Sequence, residues 1–444
     1  MSVALSETRA PGLPVPAAAA RPRRDGWRTY LVVAAMLAPI CVPSGPGQTA
    51  VIDVLNLFAI VAFALFVAFP GREPLRAPLL APVALVAVGS LIASLWAPSM
   101  GQAALALVQD AYLYAWFLVV VNLVRTPRDL RAVRVAWVCT AVAVALLALG
   151  QLLHANGGSL DTLLGSRGVR PAATLYNPNM LADYLVMSIF VALSLLAEVR
   201  PLPLALAIGT LGLGLLCTKS NGGMIAFAAG AMTWCAVAVA TGPPRRHGRV
   251  LATAAIVVSL VGLFGWLNLE WGMGDGALQA LKEHTFVGRM EHSSQSRLRI
   301  WDQLERTYAR SPLGIGPGNS GEFTLSIAER ERPDSYRSKE AHSDYLAYAI
   351  ERGPLGVAGL LILTVTVFLH VLGYWRSARQ HGGRPSPRVA WWTTAMAAAL
   401  AASAVHSTVI EKLHFRHFWL FLALVCGSSL MAAERAVSSA REAA

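Results

Sequence analysis

The sequence predicts an all-α polytopic membrane protein of about twelve transmembrane helices, with a helical domain between the ninth and tenth. Three observations carry that expectation. Of the 444 residues, 55% are hydrophobic and only 14% are charged, too few charges to cover a soluble surface of that size. The apolar residues gather into blocks of roughly 18 or more, enough to cross about 30 Å of hydrocarbon. The arginines concentrate in every second loop between those blocks, as the positive-inside rule requires.

The blocks run in order along the chain. The first eight cover Trp27 to Val42, Thr49 to Phe69, Pro78 to Trp96, Ala103 to Val124, Val133 to Leu153, Met180 to Leu196, Leu202 to Cys217 and Met224 to Ala240. The ninth is Val250 to Leu269, and the last three are Pro354 to Tyr374, Val389 to Ala404 and Phe418 to Ala433. The domains follow: a disordered cytoplasmic tail (1–26), helices one to nine (27–269), an outward domain (270–352), helices ten to twelve (353–434) and a short cytoplasmic tail (435–444). The Ala/Pro-rich start has no apolar run and does not read as a signal peptide.

With Met1 inside, the inward loops hold Arg72 and Arg76, then Arg125, Arg128, Arg131 and Arg134, then Arg200, then Arg245, Arg246 and Arg249, and finally Arg376, Arg379, Arg384 and Arg388. The last tail adds Arg435 and Arg441, while the first two outward loops carry no charge. The net charge of +12 is therefore a topology signal, and no basic stripe with interleaved aromatics points to nucleic acid. The five cysteines lie inside apolar blocks without a C-x-x-C pair, which gives neither a disulfide framework nor a metal site.

Two outward segments are richer than turns. In the long one, Leu298, Trp301, Leu304 and Tyr308 share one side of a helical stretch that begins near Arg297. Further on, Lys339 to Gly353 reads as a short helix stopped by Gly353 before Pro354 opens the next block. There His342, Tyr345, Leu346 and Ala349 would form one face. Imidazole titrates near neutral pH, so His342 is a candidate general base; a buried histidine satisfied by a carbonyl is the alternative. Arg297 and Arg299 are candidate phosphate forks, or else a solvated helix face. Arg170 stands ahead of Asn177-Pro178-Asn179, a turn that starts a helix with Asn as cap and Pro in the first turn. The run Ser311-Pro-Leu-Gly-Ile-Gly-Pro-Gly-Asn319 lacks a following Gly-Lys-Ser/Thr and is no Walker loop. It is a tight turn or a nest of amides for an anion. Lys219 is a further outward cation. The last outward loop holds His406, Glu411, Lys412, His414, Arg416 and His417; their spacing is irregular for a three-histidine metal site. By parity, His342, Arg170, Arg297, Lys219 and Arg416 all open on one side, and such a cationic pocket suits a lipid diphosphate.

At these residues the chain resembles the O-antigen ligase/polymerase superfamily of membrane glycosyltransferases. Arg170 followed by Thr174-Leu-Tyr-Asn-Pro-Asn-Met-Leu-Ala182 resembles its Arg, then Thr-Phe-x-Asn-Pro-Asn-x-Leu-Ala. Arg297-Leu-Arg-Ile-Trp301 with Ser311 to Asn319 resembles its Arg-x-x-Ile-Trp and Pro-x-x-Gly-x-Gly pair. His342-Ser-Asp-Tyr345-Leu with Glu351-Arg-Gly353-Pro-Leu-Gly356 resembles its His-Asn/Ser-x-Tyr-Leu and Glu-x-Gly-x-x-Gly run. One departure stands out: Ser220-Asn221-Gly222 replaces a frequent Ser-Arg-Gly, and Lys219 is the nearest cation.

The resemblance implies an O-antigen ligase in the bacterial inner membrane, with both termini cytoplasmic and the active site facing the periplasm. The donor would be O-antigen on undecaprenyl diphosphate and the acceptor lipid A-core, with no cofactor or metal. His342 would act as the base, and Arg170, Arg297, Lys219 and Arg416 would bind the diphosphate. Asn177, Asn179, Trp301 and Tyr345 would support them. An O-antigen polymerase and a protein O-oligosaccharyltransferase share the same motifs. A secondary transporter is the reading from another class, and it would depend on a mid-membrane acid, Asp110 or Asp183.

Overall fold

The apolar blocks of the sequence become helices because a backbone in hydrocarbon must satisfy every N–H and C=O internally. A computed structural model describes residues 24–42, 49–68, 75–158, 169–241, 286–321, 341–380 and 386–443. Among the described residues there are twelve α-helices and no strand. They are α1 (Arg24–Leu37), α2 (Val51–Ala68), α3 (Leu80–Ser94), α4 (Met100–Leu123), α5 (Pro127–Ala155), α6 (Pro178–Leu193), α7 (Pro201–Thr218), α8 (Asn221–Thr241), α9 (Phe286–Arg310), α10 (Asp344–Gln380), α11 (Pro387–His406) and α12 (Arg416–Ala443). Helices α4, α5, α7, α8, α10 and α12 contain stretches long and apolar enough to cross a membrane, and α2, α3 and α6 are shorter apolar helices. The protein is a multi-pass membrane protein.

Eleven of the twelve expected blocks coincide with these helices. The ninth, Val250 to Leu269, lies outside the described residues, as do Arg72, Arg167, Arg245, Arg246, Arg249, Arg384 and much of the tail and the outward domain. The remaining helix, α9, falls in the segment 270–352 that the parity argument assigns outward.

Local chemistry sets the helix ends. Proline opens α5, α6, α7 and α11, where its missing N–H costs nothing. Thr126 and Asp129 form a capping box on α5, and Asn177 caps α6 by accepting from Asn179 N. In α10, Gly353 breaks the helical path at φ 65°, ψ −165°, ahead of Pro354. A short helix and a long apolar helix therefore meet there, as the Gly-Pro pair predicts.

Helix α6 is the centre: every residue from Met180 to Ala192 is buried. It packs on α5, α7, α8 and α11, while α12 lies against α4 and α10, and α3 against α10. That last crossing is close because Gly89 faces the backbone of Arg352 and Gly356; a Cβ at Gly89 would stand 2.8 Å from both. Small residues of this kind let membrane helices approach.

The ionic contacts divide the bundle into two ends. At one end Arg76 holds Glu434 with two hydrogen bonds, Arg28 binds Asp129 at 2.8 Å, and Arg134 binds Glu198 at 2.9 Å. These are the loops whose arginines the parity argument assigns inward. The outward-assigned segments meet at the opposite end.

Two local expectations are corrected. Leu298 is 58% exposed; the apolar face of α9 is made instead by Ile300, Trp301, Leu304 and Tyr308, packed on Ile315, Ala341, Ala347 and Ile350. His342 is not on a helical stripe, because α10 begins only at Asp344 and His342 has left-handed backbone at φ 54°.

Candidate active site

The turn before α6 positions Arg170. Its Nε donates to the carbonyl of Thr218 at 3.0 Å and its Nη2 to Asn179 Oδ1 at 2.8 Å. Ser220 Oγ donates to the same Asn179 oxygen at 2.9 Å and accepts from Gly223 N, so it also serves the start of α8. Between Thr218 and Ser220 sits Lys219, buried and left-handed at φ 49°. The chain thus brings Arg170, Asn177, Asn179 and Lys219 to one corner, where α6 begins and α7 turns into α8. An aligned helix start favours negative charge nearby.

One turn further along α6 lies Asp183. Its Oδ1 meets His406 Nδ1 at 2.9 Å and Lys412 Nζ at 3.0 Å, and its Oδ2 meets His417 Nε2 at 3.1 Å. All four side chains are at most 2% exposed. The ring Nε2 of His406 is turned toward Gly222 at the start of α8, since a Cβ there would lie 3.3 Å from it. Arg297, half-buried on α9, is close enough for its charge to act on His406, and burial pushes the Arg297 guanidinium below its ordinary value.

The loop 407–415 then carries the arrangement to His342. Glu411 accepts from the His342 backbone N–H at 2.9 Å. Asp344 Oδ1 accepts from the backbone N–H groups of Lys412 and Leu413 at 2.9 and 3.3 Å. Trp301 Nε1 donates to the carbonyl of Ala341 at 3.0 Å, and the Tyr345 hydroxyl to that of Ala404 at 3.0 Å. Trp301 and Tyr345 therefore fix the two flanks of His342.

Arg416 is differently placed. Its Nε donates to Asp53 Oδ1 at 2.6 Å and its Nη2 to Asp53 Oδ2, a bidentate pair. Asp53 also accepts from Tyr112 and from Ala50 N. Arg416 Nη1 reaches Cys41 Sγ at 3.8 Å, and Cys41 N donates to the carbonyl of Thr174 in the turn that carries Arg170.

The glycine-rich loop answers the question of the amide nest. Its anion is the protein's own: Glu351 Oε2 accepts from Gly318 N at 2.9 Å, and Oε1 from Ser320 N at 3.2 Å. The three histidines of the last loop do not converge, since His406 and His417 take opposite oxygens of Asp183 and His414 lies tilted against the Phe415 ring. Among the described residues no group of three or more His, Cys, Asp and Glu side chains is arranged to hold a metal ion. Both acids named for the transporter reading are paired, Asp110 with Arg352 and Asp183 with Lys412.

Residues 205–361 match the family model described as O-antigen ligase. The match supports an assignment to the O-antigen ligase superfamily. The matched stretch, about a third of the chain, runs from α7 through Lys219, α9 and His342 into α10. The O-antigen ligase superfamily comprises membrane glycosyltransferases, ligases and polymerases, that act on lipid-linked polysaccharides. No curated protein matches the chain.

Sequence reasoning missed the hub. It named Asp183 only as a candidate buried acid on which a transporter would depend, and counted Lys412, His406 and His417 as loop residues. The legible signal was that Asn179 and Asp183 are four apart on one helix, and so on one face. Glu411 and Ser220 carried no such signal.

Proposed function

We propose that the protein is an O-antigen ligase of the bacterial inner membrane, transferring O-antigen polysaccharide from undecaprenyl diphosphate to lipid A-core on the periplasmic side. The observation that carries this reading is the convergence at one end of the bundle. Arg170, Lys219 and the Arg297-bearing helix α9 gather with His342 around the start of α6 and the 407–415 loop.

In this reading Arg170, Arg297 and Lys219 neutralise the diphosphate as the bond to the anomeric carbon breaks. The acceptor hydroxyl attacks that carbon, its proton passes to the His342 imidazole, and undecaprenyl diphosphate leaves. A single displacement inverts the anomeric centre, and the chemistry needs no metal. Arg416, already held by Asp53, supports the site by anchoring the start of α12 beside the Arg170 turn. Asn177 and Asn179 hold that turn, and Trp301 and Tyr345 hold His342.

The test incubates purified protein with undecaprenyl-diphosphate-linked glycan and lipid A-core in the presence of a chelator, beside His342→Ala. The expected result is a higher-mass lipopolysaccharide from the wild type, with transfer by His342→Ala reduced about 10²–10⁴-fold. Elongation of the lipid-linked glycan without transfer to the core would identify a polymerase instead. Glycan appearing on an added acceptor protein would identify a protein O-oligosaccharyltransferase.

A further inference from the structure

Between Arg170 on one side of the site and His342 on the other lie buried charges that take no part in the transfer step. Asp183 and Lys412 are an ion pair at 3.0 Å whose side chains are 2% and 0% exposed. Lys412 Nζ also donates to Ser403 Oγ at 2.7 Å. A lysine this deep is costly unless paired. The pair also lies between the two halves of the site.

Asp183 stands on α6 one turn below Asn179, which accepts from Arg170. One turn of rigid helix is about 5.4 Å. Lys412 in turn belongs to the loop whose Glu411 accepts from His342 N–H, and whose own backbone N–H donates to Asp344 two residues beyond His342. His417, on the other oxygen of Asp183, fixes the far end of that loop, and His406 its near end. One carboxylate thus clamps both ends and the middle of residues 406–417.

We infer that Asp183 is a positioning residue for the transfer reaction: through the 406–417 loop it sets His342 in register with Arg170 across the reacting bond. The inference rests on the transfer reaction proposed above. Asp183 touches neither substrate; it acts through Lys412, Glu411 and Asp344. A base displaced by about 1 Å forfeits on the order of 10²-fold in rate. Diphosphate binding at Arg170 is left intact, because Asn179 and Thr218 hold that side chain independently.

The test compares wild type, Asp183→Asn and the double variant Asp183→Asn/Lys412→Met as full-length protein in nanodiscs. The double variant removes both buried charges, so it keeps the test open where an unpaired Lys412 prevents folding. Hydrogen exchange followed by mass spectrometry reports the backbone N–H groups of His342, Lys412 and Leu413, and transfer assays give kcat and the donor KM. The expected result in the double variant is exchange at those positions faster by about tenfold or more, and kcat lower by about 10²-fold, with the donor KM within about threefold. Wild-type kcat in the double variant would overturn the inference, leaving Asp183 as the counter-ion of Lys412 alone. Unchanged exchange at His342 and Lys412 would overturn it equally. Faster exchange in the variants of a protein whose wild type transfers no glycan would strike the transfer reading, and the positioning role of Asp183 in it, while leaving the clamp itself measured.

Discussion

His342 combines an imidazole with a left-handed backbone that most L residues avoid. Alanine removes the base but also strains that position, so loss of activity in His342→Ala has two origins. Asparagine tolerates the left-handed region and has no comparable proton affinity. His342→Asn should therefore keep the wild-type melting temperature while transfer falls about 10²–10⁴-fold; a variant that transfers normally would remove His342 from the chemistry. Arg170 poses a different question. It uses two separate nitrogens of one planar fork, on Thr218 and on Asn179. Lysine keeps the charge but cannot make that geometry. Arg170→Lys should raise the donor KM several-fold or more, read from initial rates at fixed acceptor. The residue types at these positions were legible in the sequence, because arginine forks and an outward histidine are recognisable chemistry. Their partners were not. Thr218 offers a backbone carbonyl, which no sequence pattern reports, and Glu411 meets a backbone N–H from a segment 69 residues away.

At the scale of elements, the glycine-rich loop works as a fastener. Glu351 fills its amides, and Asn319 ties it to the start of α4 by accepting from Ser99 N at 2.9 Å. Gly353, next to this fastener, has φ 65°, and a Cβ there would come within 2.5 Å of the Leu313 carbonyl oxygen. Gly353→Ala should lower stability by about 1–3 kcal/mol, visible as a lower melting temperature in detergent. Glu351→Gln should loosen the loop, because a charge-assisted pair of hydrogen bonds becomes a neutral one; hydrogen exchange at Gly318 and Ser320 checks it. Helix identities were readable because twenty-residue apolar runs have few alternatives. The boundary at His342 was misread because periodicity alone does not register where a helix starts, and α10 begins two residues after His342. The exposure of Leu298 was misread because α9 has apolar residues on more than one side.

The whole molecule has two ends. Both carry arginine–carboxylate pairs, and the end that holds Arg416–Asp53 also gathers the candidate active site. The alternation of arginines in the sequence implied this split, and the pairs Arg76–Glu434, Arg28–Asp129 and Arg134–Glu198 all fall at the end it assigned inward. Cysteines introduced at the exposed positions Pro98 and Arg128 should label differently in intact spheroplasts. A membrane-impermeant maleimide should reach Pro98→Cys and leave Arg128→Cys unlabelled until the membrane is opened; the reverse pattern would invert the orientation. What the sequence could not supply was the depth of the charges between the ends, since burial of Asp183 and Lys412 arises from packing among α6, α11 and α12. Helix α12 joins the two ends, from Arg416 and His417 at one to Glu434 at the other, where Arg76 and Arg125 hold it. Over those residues a helix is a rod of about 27 Å. An affinity handle fused close behind Ser438 would load that rod directly, and a partly inactive preparation could then reflect the handle's leverage on the far membrane face, with the enzyme itself undamaged.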